Sequence, residues 1–345
     1  MHNPAASIRV RMISRDEHVS IDEAFFAGRF AELSGRKKIY LPARTTGYRI
    51  VHADADYFPG LIVDSYADVI VFQIQTAGMD RFRREIIAAL EKTFSPRAVV
   101  ERSDISARAR EGLTELPECI RAGAVEGPVP FLENGLVFYA DVMNGQKTGF
   151  FLDQRTARGR SAEFAAGKTV LNLFGYTGAF SVYAAKAGAE KIITVDSSQT
   201  ALDYAKRHFE ANALTAAHEC LKMDMFTPAA GKILAGYSSD VIICDPPALA
   251  RSLQNVPQAL KAYTALNTLC FKLLGKGGIL ITSSCSGRVT VENFRDMVRF
   301  AAGAAGRDVR IIDFLGHPHD HTDKLSFPEG RYLKTMILEV IDIAA

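Results

Sequence analysis

Residues 170–196 read VLNLFGYTGAFSVYAAKAGAEKIITVD, and this stretch decides the fold. Residues 170–174 are an apolar run of the length that a strand buried on both faces needs. Gly175 and Gly178 bracket a turn where the backbone must come close to something. Residues 179–187 suit a helix packed tightly on a sheet, and 192–195 form a second strand that ends on Asp196. Strand, glycine turn, helix and strand make one βαβ unit of a doubly wound α/β sheet. Such a unit binds a nucleoside at the carboxyl ends of its strands, with the acid placed for a ribose hydroxyl pair.

The same turn narrows the choice of nucleoside. Phe174-Gly175-Tyr176-Thr177-Gly178 lacks the G-x-G-x-x-G triplet that makes room for a pyrophosphate, and no G-x-x-x-x-G-K-[ST] occurs in the chain. A nucleoside with no phosphate to cradle fits better, and S-adenosylmethionine (SAM) is the common one. The alternative is an ordinary βαβ unit whose glycines serve packing only, because a fold does not by itself fix a function.

A chain of 345 residues suits two or three domains. With 48% hydrophobic and 23% charged residues it has the profile of a soluble globular protein. No apolar run is long enough to span a bilayer, and the start lacks a signal-peptide core. Cys119, Cys220, Cys244, Cys270 and Cys285 are odd in number and widely spaced, which argues for reduced thiols in a cytoplasm and against a zinc knuckle. The net charge of +2 neither demands nor excludes nucleic acid. Residues 1–50 carry nine Arg or Lys against five Asp or Glu, including Arg36-Lys37-Lys38. That basic region could touch phosphates, although a solvated surface is the blander reading of such a run.

Taken in order, residues 8–13 alternate apolar and basic, a strand signal with one wet face. Residues 22–33 read as an amphipathic helix with Ile21, Phe25, Phe26, Phe30 and Leu33 on one side. From about Tyr48 the pattern turns to β: strands at 60–64 and 69–74, a helix at 80–92 and a strand at 98–101. Two apolar runs at 131–133 and 136–139 flank Asn134-Gly135, a strong hairpin signal. This makes a small α+β module. After Asn144 the chain is α/β. Strands are expected at 219–221, 240–244, 278–284, 309–314 and 332–341, the last two close enough to pair antiparallel. Helices are expected at 199–212, 256–274 and 291–302.

Asp196, Asp224, Asp245 and Cys285 each stand just past the end of a strand, and in a doubly wound sheet those ends line one crevice. Asp196 is expected on the ribose hydroxyls. Asp224, followed by Met225-Phe226, is expected on the adenine. Asp245-Pro246-Pro247 is a rigid corner with two backbone nitrogens that carry no proton. The Cys285 thiolate could attack an electron-poor carbon; a small buried hydrophobe is the alternative. Cys244 should point to the opposite sheet face and belong to the core. His317, His319 and His321 with Asp320 have ligand chemistry, but the missing fourth-ligand pattern favours a polar loop, and no metal is expected. Residues 144–155 read as a ligand-facing lid or as a solvated connector that starts a helix.

NGQKTGFFLDQR, VLNLFGYTGAF, ICDPPALARS, ITSSCSG and FPEGRYLK together resemble the class I SAM-dependent ribosomal RNA cytosine-C5 methyltransferases of the large-subunit RlmI type, in the same order over nearly the whole chain. The resemblance implies a Rossmann-like methyltransferase domain over 144–345 with its last strand antiparallel. A small α+β EEHEE-type module over 49–143 would precede it, and residues 1–48 would hold the closing strand of an RNA-binding PUA domain and a linking helix. It implies that Cys285 attacks C6 of cytosine and that Asp245 holds the cytosine edge. Phe174, Gly175, Thr177, Gly178, Asp196 and Asp224 would bind SAM, with Gln154 and Arg155 closing over the site. RNA, large-subunit rRNA in the first place, is the implied partner in the cytoplasm; no membrane is involved, and a homodimer stays open.

The sequence departs from that pattern twice. Most of the PUA domain is missing, so either the start is truncated or this member binds RNA without it. Ala248-Leu249 replaces a bulkier pair after Asp-Pro-Pro, which bears on the base pocket. Two other readings compete: a SAM enzyme acting on another nucleotide atom, such as guanine N7, with Cys285 as packing, and a non-catalytic SAM- and RNA-binding module.

Overall fold

A computed structural model describes residues 1–250 and 252–341, so Arg251 of ICDPPALARS lies outside the described residues. The chain divides into two compact units, Met1–Asp153 with Pro318–Gly330, and Gln154–His317 with the chain from Arg331 onward.

The first unit begins its regular structure with α1 (Glu23–Lys38), followed by β1 (Gly47–His52), β2 (Leu61–Tyr66), β3 (Val69–Ile74), α2 (Ala77–Asp80), α3 (Arg83–Phe94), β4 (Ala98–Glu101), β5 (Cys119–Gly123), β6 (Val129–Glu133) and β7 (Leu136–Ala140). Asp22 caps α1 by accepting from Phe25 N at 2.9 Å, which satisfies an orphan donor of the first turn. Strands β1 to β5 lie side by side in sequence order, with β3 and β4 parallel because α3 carries the chain across between them. α1 and α3 cover this sheet through Phe26, Phe30, Ile86 and Leu90, and Phe58 from the loop before β2 joins the same core. β6 and β7 are the hairpin expected at Asn134-Gly135.

Polar residues are buried in this unit too, and they form a closed set. Arg49 meets Asp64 through two bonds, at 2.7 and 2.9 Å, and Thr148 donates to the same carboxylate at 2.7 Å. Lys37 pairs with Asp56, which also accepts from His52 N at 2.7 Å and from Thr322 Oγ1 at 3.0 Å. Asp320 accepts from Arg49 N at 2.9 Å, and the rings of His52 and His321 lie 5.2 Å apart. The histidine-rich loop is thus partly a polar core: Asp320 and His321 are buried. Burial, reinforced by the Arg49 charge, holds the His321 pKa below its ordinary value.

Several expectations need correction here. Residues 8–13 form no strand; Val10 makes one bridge with His2, and Ile8, Val10 and Met12 are exposed because no neighbouring strand covers them. α1 runs five residues further than expected and buries Lys37 of the basic run. The helix expected over 80–92 is two, α2 and α3. Within 144–155, Thr148, Phe150, Leu152 and Asp153 are buried in the first unit, so this part is not a solvated connector.

The second unit contains α4 (Arg155–Ala162), β8 (Thr169–Leu173), α5 (Ala179–Lys186), β9 (Lys191–Asp196), α6 (Gln199–Ala211), β10 (Ala217–Lys222), α7 (Ala230–Leu234), β11 (Ser239–Cys244), α8 (Val256–Leu273), β12 (Leu274–Ser284), α9 (Val291–Ala304), β13 (Val309–Leu315) and β14 (Lys334–Val340). Among the described residues its sheet runs β10-β9-β8-β11-β12-β14-β13. β10, β9, β8, β11 and β12 are parallel, whereas β14 is antiparallel to both β12 and β13. This is the Rossmann-like methyltransferase sheet expected from the sequence. Leu171, Ile193, Ile242 and Leu280 fill the middle of the sheet, with Tyr263, Phe271 and Phe294 packed against it from α8 and α9. Cys244 belongs to this core.

Candidate active site

The strand order reverses between β9-β8 and β11-β12, the switch point where α/β sheets open a crevice at their carboxyl ends. Register levels those ends. Val195 pairs with Leu173, Leu173 with Cys244, and Cys244 with Thr282. Asp196, Phe174 and Asp245 therefore each stand one residue above that row, and Cys285 stands three above it. Asp224 stands two past Lys222, the partner of Asp196.

The turn after β8 is built by close approach. A Cβ on Gly175 would lie 2.5 Å from Thr194 Cγ2, so only glycine lets the turn sit down on β9. Gly178, the N-cap of α5, has φ +73° and fits against Ala205 of α6. Phe174 and Tyr176 also take left-handed backbone, at φ 57° and 46°. The buried carbonyl of Thr177 accepts from His208 Nδ1 at 2.8 Å. The result is a tight rim whose amides converge on one acid: Asp196 Oδ2 accepts from Tyr176 N at 2.8 Å, and Oδ1 from Ser198 N at 2.9 Å. A carboxylate has about four acceptor positions, so these two bonds fix Asp196 and leave capacity for a pair of hydroxyls.

Asp224 is exposed and turns its own loop, accepting from Phe226 N at 2.9 Å. Its Oδ2 has no hydrogen-bond partner among the described residues. Phe226 faces Phe174 with ring centroids 5.5 Å apart, and Met225 is buried beside them. These two rings belong to different strand ends and form an apolar wall of the kind a flat base packs on.

Asp245 is half-buried, and its backbone N reaches Leu173 O at 3.5 Å. Its Oδ2 accepts from Gln154 Nε2 at 2.9 Å. Gln154 is 3% exposed, yet its Oε1 is buried with no partner among the described residues. An orphaned acceptor at a ligand crevice fits a site that a polar molecule completes. Arg155 is buried at the start of α4. Gln154 and Arg155 are thus both packed within the unit.

Cys285 is half-buried at the end of β12. Ser284 and Ser286 on either side are fully buried and tie to α8: Ser284 Oγ donates to Tyr263 OH at 3.2 Å, and Tyr263 OH and Ser286 Oγ are 3.0 Å apart. Burial raises the Tyr263 pKa, and the charge Cys285 would carry as a thiolate adds to that shift. Sequence reading did not single out Tyr263 or Lys334. The hydroxyl at position 263 carries no motif, and Lys334 was met only inside FPEGRYLK.

The Cβ-free rim at Gly175, the fixed carboxylate of Asp196 and the unfilled acceptor of Gln154 fit an adenosyl group with a polar amino-acid tail. The comparisons agree. A family model for S-adenosylmethionine-dependent methyltransferases matches residues 119–317. The chain is 39% identical over 338 residues to ribosomal RNA large subunit methyltransferase I of Aeromonas salmonicida, covering 97% of this chain and 85% of that protein. It is 37% identical over 345 residues to the protein of the same name from Pseudoalteromonas translucida, covering 98% and 86%. A SAM-dependent methyltransferase structure from Streptococcus mutans superposes with a TM-score of 0.82 at 29% identity, over 95% of this chain and 84% of that one. A methyltransferase structure complexed with SAH superposes with the same TM-score at 30% identity, over 95% and 84%. With a domain match over more than half its length and relatives of this similarity across almost all of it, the chain belongs to the SAM-dependent methyltransferases, in the family of the proteins named ribosomal RNA large subunit methyltransferase I.

Proposed function

We propose that this enzyme methylates C5 of a cytosine in large-subunit ribosomal RNA, 23S rRNA, through a covalent bond from Cys285 to C6. The observation that carries this reading is the position of Cys285, half-buried at the same carboxyl edge as Asp245 and the Gly175–Asp196 rim. Phe174, Gly175, Thr177, Gly178, Asp196 and Asp224 hold the adenosine, and Gln154 and Arg155 border its polar end. SAM supplies an electrophilic methyl group on a sulfonium. The Cys285 thiolate would add to C6, which pushes electron density to C5; C5 would take the methyl group as its bond to the sulfonium breaks, leaving S-adenosylhomocysteine. A base removes the C5 proton, the C5–C6 double bond reforms, and the thiolate leaves. Asp245, held by Gln154, hydrogen-bonds the cytosine edge and offsets charge on the activated ring.

In this reading residues 144–345 carry the chemistry, preceded by an EEHEE-type module over 49–143 and by a PUA remnant with its linking helix over 1–48. A cytoplasmic location and a homodimer belong to the same proposal. No described helix is long and apolar enough to cross a membrane.

The test uses 23S rRNA transcripts and labelled SAM. Cys285→Ala should lower turnover at least ~10³-fold while SAM affinity stays within about twofold, as expected for loss of a nucleophile. RNA carrying 5-fluorocytosine, which has no C5 proton to lose, should leave wild-type protein covalently attached under denaturing conditions. Turnover unchanged in Cys285→Ala, with no trapped adduct, would instead point to another atom such as guanine N7. Absence of turnover in the wild type would point to a binding module.

A further inference from the structure

Lys334 is the first residue of β14, and its register partner is Ser284 of β12, the residue before Cys285. It is 2% exposed. Its ammonium donates to three backbone carbonyls, Ser286 O at 3.0 Å, Val289 O at 2.7 Å and Tyr332 O at 2.8 Å. An ammonium has three N–H bonds, so these carbonyls account for all of them, and two lie in the loop just after Cys285. No carboxylate among the described residues forms an ion pair with it. A buried cation solvated by neutral oxygens alone is expensive, and its removal would leave three carbonyls without this donor. Cys285 stands between Ser284, the register partner of Lys334, and Ser286, whose carbonyl the ammonium holds, so a thiolate there would raise the Lys334 pKa.

We propose that Lys334 is the fixed counter-charge of the Cys285 thiolate, and that its grip on the 286–289 carbonyls holds the sulfur at the strand end. The proposal rests on the reading of Cys285 as nucleophile and adds the source of its ionisation. Lys334 does not touch the base; it is a positioning residue. Cysteine attacks as the thiolate, and a neighbouring cation is one standard way to lower its pKa. Burial pulls the Lys334 pKa down and a Cys285 thiolate partly offsets this, leaving it at about 8, so near pH 7 the ammonium persists. Other charged or titratable groups lie on the elements around Cys285. Asp245, after β11, has the opposite sign. Tyr263 on α8 is neutral, its pKa raised. Arg288, in the loop itself, is exposed to solvent. His317 accepts from Leu333 N through Nε2 at 3.3 Å and stacks edge-on against Tyr332.

The test reads the thiol directly, with no RNA present. Folded protein is treated with iodoacetamide from pH 5.5 to 10, and alkylation of the Cys285 peptide is followed by mass spectrometry. The wild-type midpoint should fall below the ordinary cysteine value of about 8.5. Lys334→Met should raise it by about one unit, a roughly tenfold slower alkylation at pH 7. Lys334→Arg, which keeps the charge, should restore most of the difference. A midpoint unmoved in Lys334→Met, with circular dichroism and SAM affinity intact, overturns the proposal. So does a wild-type midpoint at or above 8.5, which decides the matter even if neither Lys334→Met nor Lys334→Gln folds. The two proposals fail separately. Turnover retained in Cys285→Ala removes the nucleophile and leaves the measured coupling standing; a midpoint independent of Lys334 removes the coupling and leaves the nucleophile.

Discussion

The two units handle buried polarity in opposite ways. In the first, Arg49, Asp64, Lys37, Asp56 and Asp320 are buried and each meets an opposite charge or a backbone amide. In the second, the polar groups at the strand ends are only partly enclosed: Asp224 is exposed, Asp245 and Cys285 are half-buried, and Gln154 Oε1 awaits a donor. A closed network fixes one arrangement of the chain, because breaking it strands a charge. An open one keeps capacity for something that is not protein. The contrast explains why the histidine-rich loop, which has the richer residue chemistry, is structural from Asp320 to Thr322, while a single cysteine beside plain serines is the reactive candidate.

The sharpest way to break this contrast is to open the closed side. Arg49→Met leaves Asp64 buried without its guanidinium and should cost ~3–5 kcal/mol, read as a lower urea midpoint. Arg49→Met combined with Asp64→Leu should recover most of that loss, since the pair as a whole is close to neutral. Full cost in the double variant would mean that packing, not charge closure, holds this region.

Acid should weaken both units, through different histidines. In the second unit His218 stacks on Phe209 with centroids 3.7 Å apart, and burial, aided by Lys206, pulls its pKa from 6.5 to about 4. In the first, His321 shifts in the same direction. A depressed histidine pKa means the unfolded chain binds more protons below pH 6.5. Stability is therefore full above 6.5 and falls as pH drops towards 4. For His218 the loss should reach ~2 kcal/mol after allowance for its partial exposure. Denaturation midpoints from pH 7.5 to 4.5 should show the fall, and His218→Phe should flatten it.

The smallest effect on stability is expected on the open side. Asp224→Asn should change unfolding by less than ~0.5 kcal/mol, as an exposed position, while SAM affinity measured by calorimetry drops several-fold. A large stability loss with unchanged affinity would place Asp224 with the closed networks.

How much of this was readable from residue order depends on range. The strands and helix of 170–196 fall within one residue of expectation, because apolar run length, glycine and the closing acid are all local signals. The antiparallel β13–β14 pair followed from short separation in the chain. Strand β5 was missed: Cys-Ile-Arg-Ala-Gly has no apolar alternation, and its side chains are largely exposed at a sheet edge. Residues 8–13 failed the other way, with a clean alternating pattern and no strand to pair with. Lys37 read as a solvated charge because its partner, Asp56, lies nineteen residues on and is met only after folding. Lys334 is the same problem at the candidate site: its acceptors are carbonyls, which every residue has, so nothing in the letters marks them.

The left-handed backbone at Phe174 and Tyr176 carries a consequence for anyone who tries to thermostabilise this protein. Each costs on the order of 1–3 kcal/mol relative to a relaxed residue, so substitution by glycine looks attractive to any search that scores the empty protein. Yet glycine at 174 would remove the ring that faces Phe226, whereas glycine at 176 would keep the amide that Asp196 accepts from. In the proposed reading, a more heat-resistant glycine variant at 174 should bind the methyl donor less tightly: at that position, robustness and use pull in opposite directions.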